Sequence, residues 1–209
     1  MAAAGRGRGP AAFLLVFLAG CGSAAPPGRL APRYTAWSEG PARWLLLPSE
    51  ARRFRRLRDD AAAEAFIAEF WRRRDPDPAT PDNPAPRAFD ERVEAADRLY
   101  VEEEVRGALT DRGGAIILLG SPTMVRTSYR RSPAWGPAAP GGGHATRPIL
   151  VETWVYAPED LPRPLRDLAR RRGRTGEASL TFVREGRRTR LLEGRDLLEL
   201  AAEAAVQKP

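Results

Sequence analysis

The stretch GALTDRGGAIILLGSP, Gly107 to Pro122, is where the sequence changes period and where the fold is decided. Within it, Ala115–Leu119 (AIILL) is a short unbroken apolar run. Gly113 and Gly114 bound it on one side and Gly120, Ser121 and Pro122 on the other. A run of that length between turn-forming residues predicts a buried strand. Upstream of it the apolar residues recur at helical spacing, and downstream most recur at the two-residue spacing of strands.

Working back from that point, Ser49 is placed to cap a helix, with Glu50 in its first turn where the macrodipole favours a carboxylate. Phe54 and Leu57 lie three apart on one face. Asp59 or Asp60 caps a second helix, Ala61–Arg73, in which Ala63, Phe66, Ile67, Phe70 and Trp71 recur at helical spacing. Arg72, Arg73 and Arg74 suit its C-terminus, and Pro76 and Pro78 stop it. Residues 75–86 (DPDPATPDNPAP) cannot be regular structure. A third helix, roughly Pro86–Val105, carries Phe89, Val93, Ala96, Leu99 and Tyr100 on one face, and Gly107 ends that region.

Working forward, Met124–Tyr129 predicts a second strand and residues 132–146 (SPAWGPAAPGGGHAT) a flexible loop. Ile149–Tyr156 predicts a strand with Val151, Thr153 and Val155 on one side and Leu150, Glu152, Trp154 and Tyr156 on the other. Ala178–Val183 predicts another, paired through Glu185-Gly186 to Thr189–Leu192, and a short helix occupies roughly 195–206. The order argues an α+β fold, with N-terminal helices packed on a small, mostly antiparallel sheet and a short C-terminal helix. No internal repeat of 20–50 residues is visible.

The first 21 residues have a different character. Arg6 and Arg8 form a positive segment, Ala11–Ala19 (AAFLLVFLA) a short apolar one, and Leu18-Ala19-Gly20-Cys21 comes next. This tetrapeptide resembles a bacterial lipobox. The resemblance implies a lipoprotein signal peptide over 1–20, lipidation of Cys21, cleavage before it and acylation of the new amino terminus. Gly22 after the cysteine points to the outer membrane. Residues 21–41, rich in small residues and Pro, read as a flexible tether, and residues 42–206 as the folded domain.

Composition narrows the rest. The formal charge of the 209-residue chain is +7, and +5 once Arg6 and Arg8 leave with the signal. Lys208 is the only lysine, so nearly all the basic charge is arginine. With abundant Ala, Gly and Pro, that bias reads as a GC-rich genome rather than a nucleic-acid footprint, and no nucleic-acid partner is expected. Cys21 is the only cysteine, which excludes an internal disulfide and a second thiol for redox chemistry. The folded part has no apolar run of eighteen residues, so no membrane-spanning helix is expected.

The stretch from Phe66 to Pro78 (FIAEFWRRRDPDP) resembles the "F-I-x-x-F-W-x-x-R-D-P-x-P" segment of the GWxTD domain family. Thr80, Asn83 and Phe89 fit the positions after that segment, and Arg92 and Ala96 fall in the next helix. Gly107, Thr110, Asp111, Arg112 and Gly113 sit at the family's naming motif, with Gly120 and Pro122 beyond them. Glu152, Trp154 and Tyr156 resemble the later "E-x-W-x-Y" strand. The likeness covers roughly residues 42–185 and rests on Trp71, Arg74, Asp75 and Pro76 as much as on the later blocks. One departure is clear: the naming Trp is Ala108 here, which implies a repacked corner. The resemblance implies a bacterial envelope domain often carried on lipoproteins. It supplies no accepted activity and no catalytic residues.

The chemistry-bearing residues give little else. Asp75, Asp77 and Asp82 alternate in a Pro-rich loop, but the spacing fails the twelve-residue calcium loop, with Thr80 where Gly is needed. Asp111 and Arg112 read either as an anion-recognition corner or as a turn in which Asp111 caps its own backbone and Gly113 supplies positive φ. His144 is the only histidine and has no positioning partner in sequence; one His and one Cys exclude a structural zinc site. Two arginine clusters, Arg52–Arg58 and Arg170–Arg174, suit anionic headgroups or solvent. Trp71 and Trp154 read as core anchors. No cofactor, metal, catalytic set or small-molecule ligand is expected. The sequence therefore favours a membrane-anchored, non-enzymatic binding or assembly module with an envelope protein partner. The alternative is a hydrolase of envelope polymer using carboxylates such as Asp111 and Glu152.

Overall fold

The structure, a computed structural model, describes residues 29–133 and 146–206. Cys21 and the signal around it, His144, and most of the loop expected at 132–146 lie outside the described residues. The described chain is α+β, with helices α1 (Pro32–Glu39), α2 (Pro48–Phe54), α3 (Asp60–Arg72), α4 (Ala85–Leu99) and α5 (Asp111–Leu119) before the sheet. Strands β1 (Met124–Pro133) and β2 (Thr146–Tyr156) precede α6 (Arg163–Arg171); β3 (Ala178–Glu185), β4 (Arg188–Glu193) and α7 (Arg195–Ala204) complete it. Short 3-10 turns at Pro41–Trp44 and Gly107–Leu109 introduce α2 and α5.

The N-terminal helices close a small core of their own. Pro32 at the first turn presets φ for α1, and its Tyr34 and Trp37 face Phe54, Phe66 and Phe70. The Trp37 ring stands edge-on to Phe70 at 5.0 Å and tilted to Phe54 at 5.4 Å, geometries that aromatic pairs favour. The expected tether therefore ends earlier than Pro41, because the buried Ala31 and Tyr34 already belong to this core. Ser49 does not cap α2. Leu47 holds the cap position, and the Glu50 carboxylate accepts its N–H at 3.0 Å. Asp59 does cap α3, accepting from the Ala62 N–H at 2.8 Å.

The larger core lies between the sheet and helices α5, α6 and α7. The sheet is antiparallel throughout in the order β1-β2-β3-β4. Trp154 pairs with Leu180 across β2 and β3, and Phe182 with Leu191 across β3 and β4. Trp154, Tyr156, Leu180 and Phe182 form the inner face. A positive-φ Gly186 turns β3 into β4, as its position between the two strands predicts.

Ala115–Leu119 is not a strand. It is the body of α5, and every residue from Gly113 to Leu119 is buried. A helix enclosed on all sides has no polar face, so its sequence carries no 3.6-residue period. The third helix ends at Leu99 rather than Val105, and Leu99 itself is 65% exposed, so it is not on the buried face. Helix α6, which the sequence pattern does not announce, packs Leu165, Leu168 and Ala169 into the core.

Candidate functional site

The residues singled out at Gly107–Gly113 converge at the start of α5. Thr110 is the N-cap: its hydroxyl accepts from the Gly113 N–H at 3.1 Å and donates to the Gly107 carbonyl at 2.7 Å. Gly113 is helical, so the expectation of positive φ there is corrected. What the position requires is space, since a Cβ would lie 1.9 Å from the Gly107 carbonyl oxygen. The chain passes equally close at Gly107, where a Cβ would meet the Ala96 carbonyl. Gly120 is the residue with positive φ (84°) and ends α5, with Pro122 just beyond.

Ala108 is fully buried, and Trp44 packs at this corner. That indole donates to the Ala108 carbonyl at 2.8 Å, and its ring covers Gly114. The sequence carries no signal for this role of Trp44, since the contact spans 64 residues.

Asp111 does not cap its own turn. Its carboxylate accepts from the Leu191 N–H of β4 at 2.7 Å. Glu102, missed in the sequence, accepts from the Thr189 N–H of the same strand at 2.9 Å. Arg112 donates to Glu102 at 2.9 Å and to Glu152 at 3.4 Å, and lies 5.1 Å from the Tyr100 ring centre. Trp154 and Tyr156 extend this cluster into the core, with the Tyr156 hydroxyl 3.5 Å from the Gly120 carbonyl. The result is a lock. Three acids and one arginine bind helix α5, the 100–105 connection, β2 and the outer edge of β4 together.

That lock makes the sheet's two edges unlike. On β4 the outward N–H groups of Thr189 and Leu191 are occupied by carboxylates. On β1, every residue from Met124 to Arg131 is exposed, and among the described residues nothing bonds to its outer edge. Met124, Val125 and Tyr129 stand in solvent there. Arg126, Arg130 and Arg131 make no ion pair among the described residues, and no residue of β1 is acidic.

The earlier motif block lies elsewhere, along a groove of about 500 Å³ between the end of α3, α4, α5, α6 and α7. Trp71 stands edge-on to Phe70 and tilted to Phe89, at 4.9 and 5.3 Å between centroids. Arg74 is held at 2.7 Å by the buried Glu50 and lies over the Phe70 ring at 3.6 Å, and desolvation pulls its guanidinium below the ordinary value. Asp75 accepts from the Asp77 N–H and Asp77 from the Ala79 N–H, so both acids serve turns, and Pro76 borders the groove. Trp71, Phe89, Ile117, Leu118 and Leu165 give the groove an apolar lining. Arg73, Arg74, Arg92, Arg163 and Arg171 also border it, with Asp75 and Asp167.

Of the two arginine clusters, the second is partly paired, through Arg172 with Glu203 and Arg174 with Asp196. Arg53 in the first lies 5.5 Å from the Phe66 ring centre. No family model, curated protein or solved structure matches the chain.

Proposed function

We propose that this chain is an envelope lipoprotein of the GWxTD type, anchored to the outer membrane through a lipidated Cys21. Its folded part is a non-enzymatic binding or assembly module that engages another envelope protein. The observation that carries this reading is the asymmetry of the sheet. One edge is closed by Glu102 and Asp111, while along β1 nothing among the described residues bonds to the outer edge, and Met124, Val125 and Tyr129 are exposed there beside Arg126, Arg130 and Arg131. An open edge is a template for a further strand, with backbone bonds giving affinity and alternate side chains giving choice. The arginines set the partner's chemistry as an extended segment bearing carboxylates. A second copy of β1 would set Arg against Arg, which opposes self-pairing.

The alternative, hydrolysis by Asp111 and Glu152, is opposed by the commitment of those carboxylates to Leu191 and Arg112.

The test is a photo-crosslinking residue placed at Tyr129 in the full chain in native cells, with Glu94 on α4 as the control position. The expected result is one adduct from Tyr129 alone, mapped to an acidic extended segment of the partner and abolished by Arg130→Glu. An adduct that survives Arg130→Glu, a dimer of this chain, or no adduct overturns the reading. The anchor is tested separately. The mature N-terminus should carry an acyl mass that Cys21→Ser removes.

A further inference from the structure

The groove between α4, α6 and α7 stands on observations separate from the sheet edge. Its size falls within the ~300–1,000 Å³ of ordinary ligand sites, and its lining is mainly apolar with a few polar groups. Most of the arginines at its rim are already engaged. Arg73 and Arg74 both reach Glu50, at 3.0 and 2.7 Å, Arg163 lies 3.8 Å from Asp167, and Arg171 has an interaction of its own.

Arg92 is different. It is half-buried on α4, its Nη1 donates to the Ile117 carbonyl at 2.9 Å, and no carboxylate among the described residues lies within 4 Å of it. Desolvation pulls its guanidinium below the ordinary value, with no charge to offset it. A guanidinium carries five N–H groups, so Nη2 and Nε are left to meet a ligand, the pair that matches the two oxygens of a carboxylate. Another groove residue, Arg74, has a buried Nε with no acceptor among the described residues.

We infer that this groove binds a single-chain amphiphile ending in one carboxylate, with the acyl chain along Trp71, Phe89 and Leu165 and the carboxylate on Arg92. One unpaired cation matches one negative charge. A dianionic phosphate would bring its second charge against Asp75 and Asp167, the two acids at the rim.

The experiment uses the full chain carrying Cys21→Ser, so that no attached lipid competes, with 11-(dansylamino)undecanoic acid as the fluorescent probe. Palmitate displaces the probe, hexadecanol does so about tenfold less well or worse, and inorganic phosphate does not; tenfold is the scale of one charge-assisted hydrogen bond. Arg92→Met weakens probe binding by a similar factor, and Arg92→Lys restores part of it. Ala88→Trp, an exposed groove position that leaves Arg92 in place, blocks binding while circular dichroism stays unchanged. The inference is overturned if hexadecanol equals palmitate, if lysophosphatidylglycerol or phosphate displaces better than palmitate, or if Ala88→Trp binds as the parent does. Should Arg92→Met fail to fold, the Ala88→Trp and hexadecanol results decide. Neither outcome bears on the Tyr129 crosslink, so the two proposals fail separately.

Discussion

Glu50 and Arg74 meet at 2.7 Å with side chains only 7% and 2% exposed, and the same carboxylate holds the Leu47 N–H and Arg73. Removing one partner of such a pair strands the other charge away from water. Glu50→Ala should therefore cost about 3–5 kcal/mol in urea unfolding. Breaking the exposed Arg72–Glu69 pair should shift the urea midpoint far less, because solvent screens both charges. Equal effects from the two would show that the buried pair is solvated. In sequence, Glu50 was legible as a first-turn carboxylate and Arg74 as a helix end; their meeting was not, because 24 residues separate them. Burial also raises the Tyr156 phenol far above its ordinary value. The folded state then keeps a proton that the unfolded chain releases near pH ~10. Above that pH the unfolded state binds fewer protons, so stability present below ~10 falls as pH rises further. Tyr156→Phe should flatten the alkaline decline of the melting temperature.

At the scale of elements, α5 is the most instructive. Its apolar run was legible as buried, and it is; its type was not, because a helix enclosed by the sheet, α4 and α7 gives the same unbroken pattern as a core strand. The deciding signal was Thr110 with, three residues later, the N–H it caps, a start motif that the glycines masked. Strand β2 was legible from its β-branched and aromatic residues, and β3 and β4 from the Glu185-Gly186 turn between two short runs. Helix α6 was missed although Leu165 and Leu168 stand three apart, since the arginines around them read as a charge cluster. Two substitutions separate local from tertiary effects in α5. Thr110→Ala should cost ~1 kcal/mol through the lost cap. Gly113→Ala should gain up to ~1 kcal/mol from helix propensity alone. A Cβ 1.9 Å from the Gly107 oxygen should reverse that sign and destabilise by more than Thr110→Ala, as read by denaturant midpoint. A stabilising Gly113→Ala would mean that α5 and the Gly107–Leu109 turn do not pack as described.

Across the whole molecule, the motif blocks that the sequence brought together by resemblance divide into two places. The later block builds the lock that fixes α5 to β2 and closes β4, and the earlier block borders the groove. Neither block forms a reactive set among the described residues, because its carboxylates each hold a backbone N–H or an arginine. The charges themselves were legible, but their partners were not, since Asp111 reaches Leu191 across 80 residues and Glu102 reaches Thr189 across 87. The acids of the lock hold α5 and β4 together and occupy two outward N–H groups of β4. Asp111→Ala with Glu102→Ala would free two N–H groups on β4 and leave Arg112 with Glu152 alone. Each unmet buried group costs ~1–3 kcal/mol, so the melting temperature should fall. The sharper outcome is association. With both edges open, the chain can pair β4 against β1 of a neighbour, an asymmetric contact that does not close on itself. Sedimentation of the double variant should show concentration-dependent oligomers that the parent lacks. Adding Arg126→Glu and Arg130→Glu should alter their size, because β1 supplies one side of each contact. A double variant that loses stability but stays monomeric at high concentration would separate the lock's structural role from edge protection, and leave the open β1 edge without its proposed contrast.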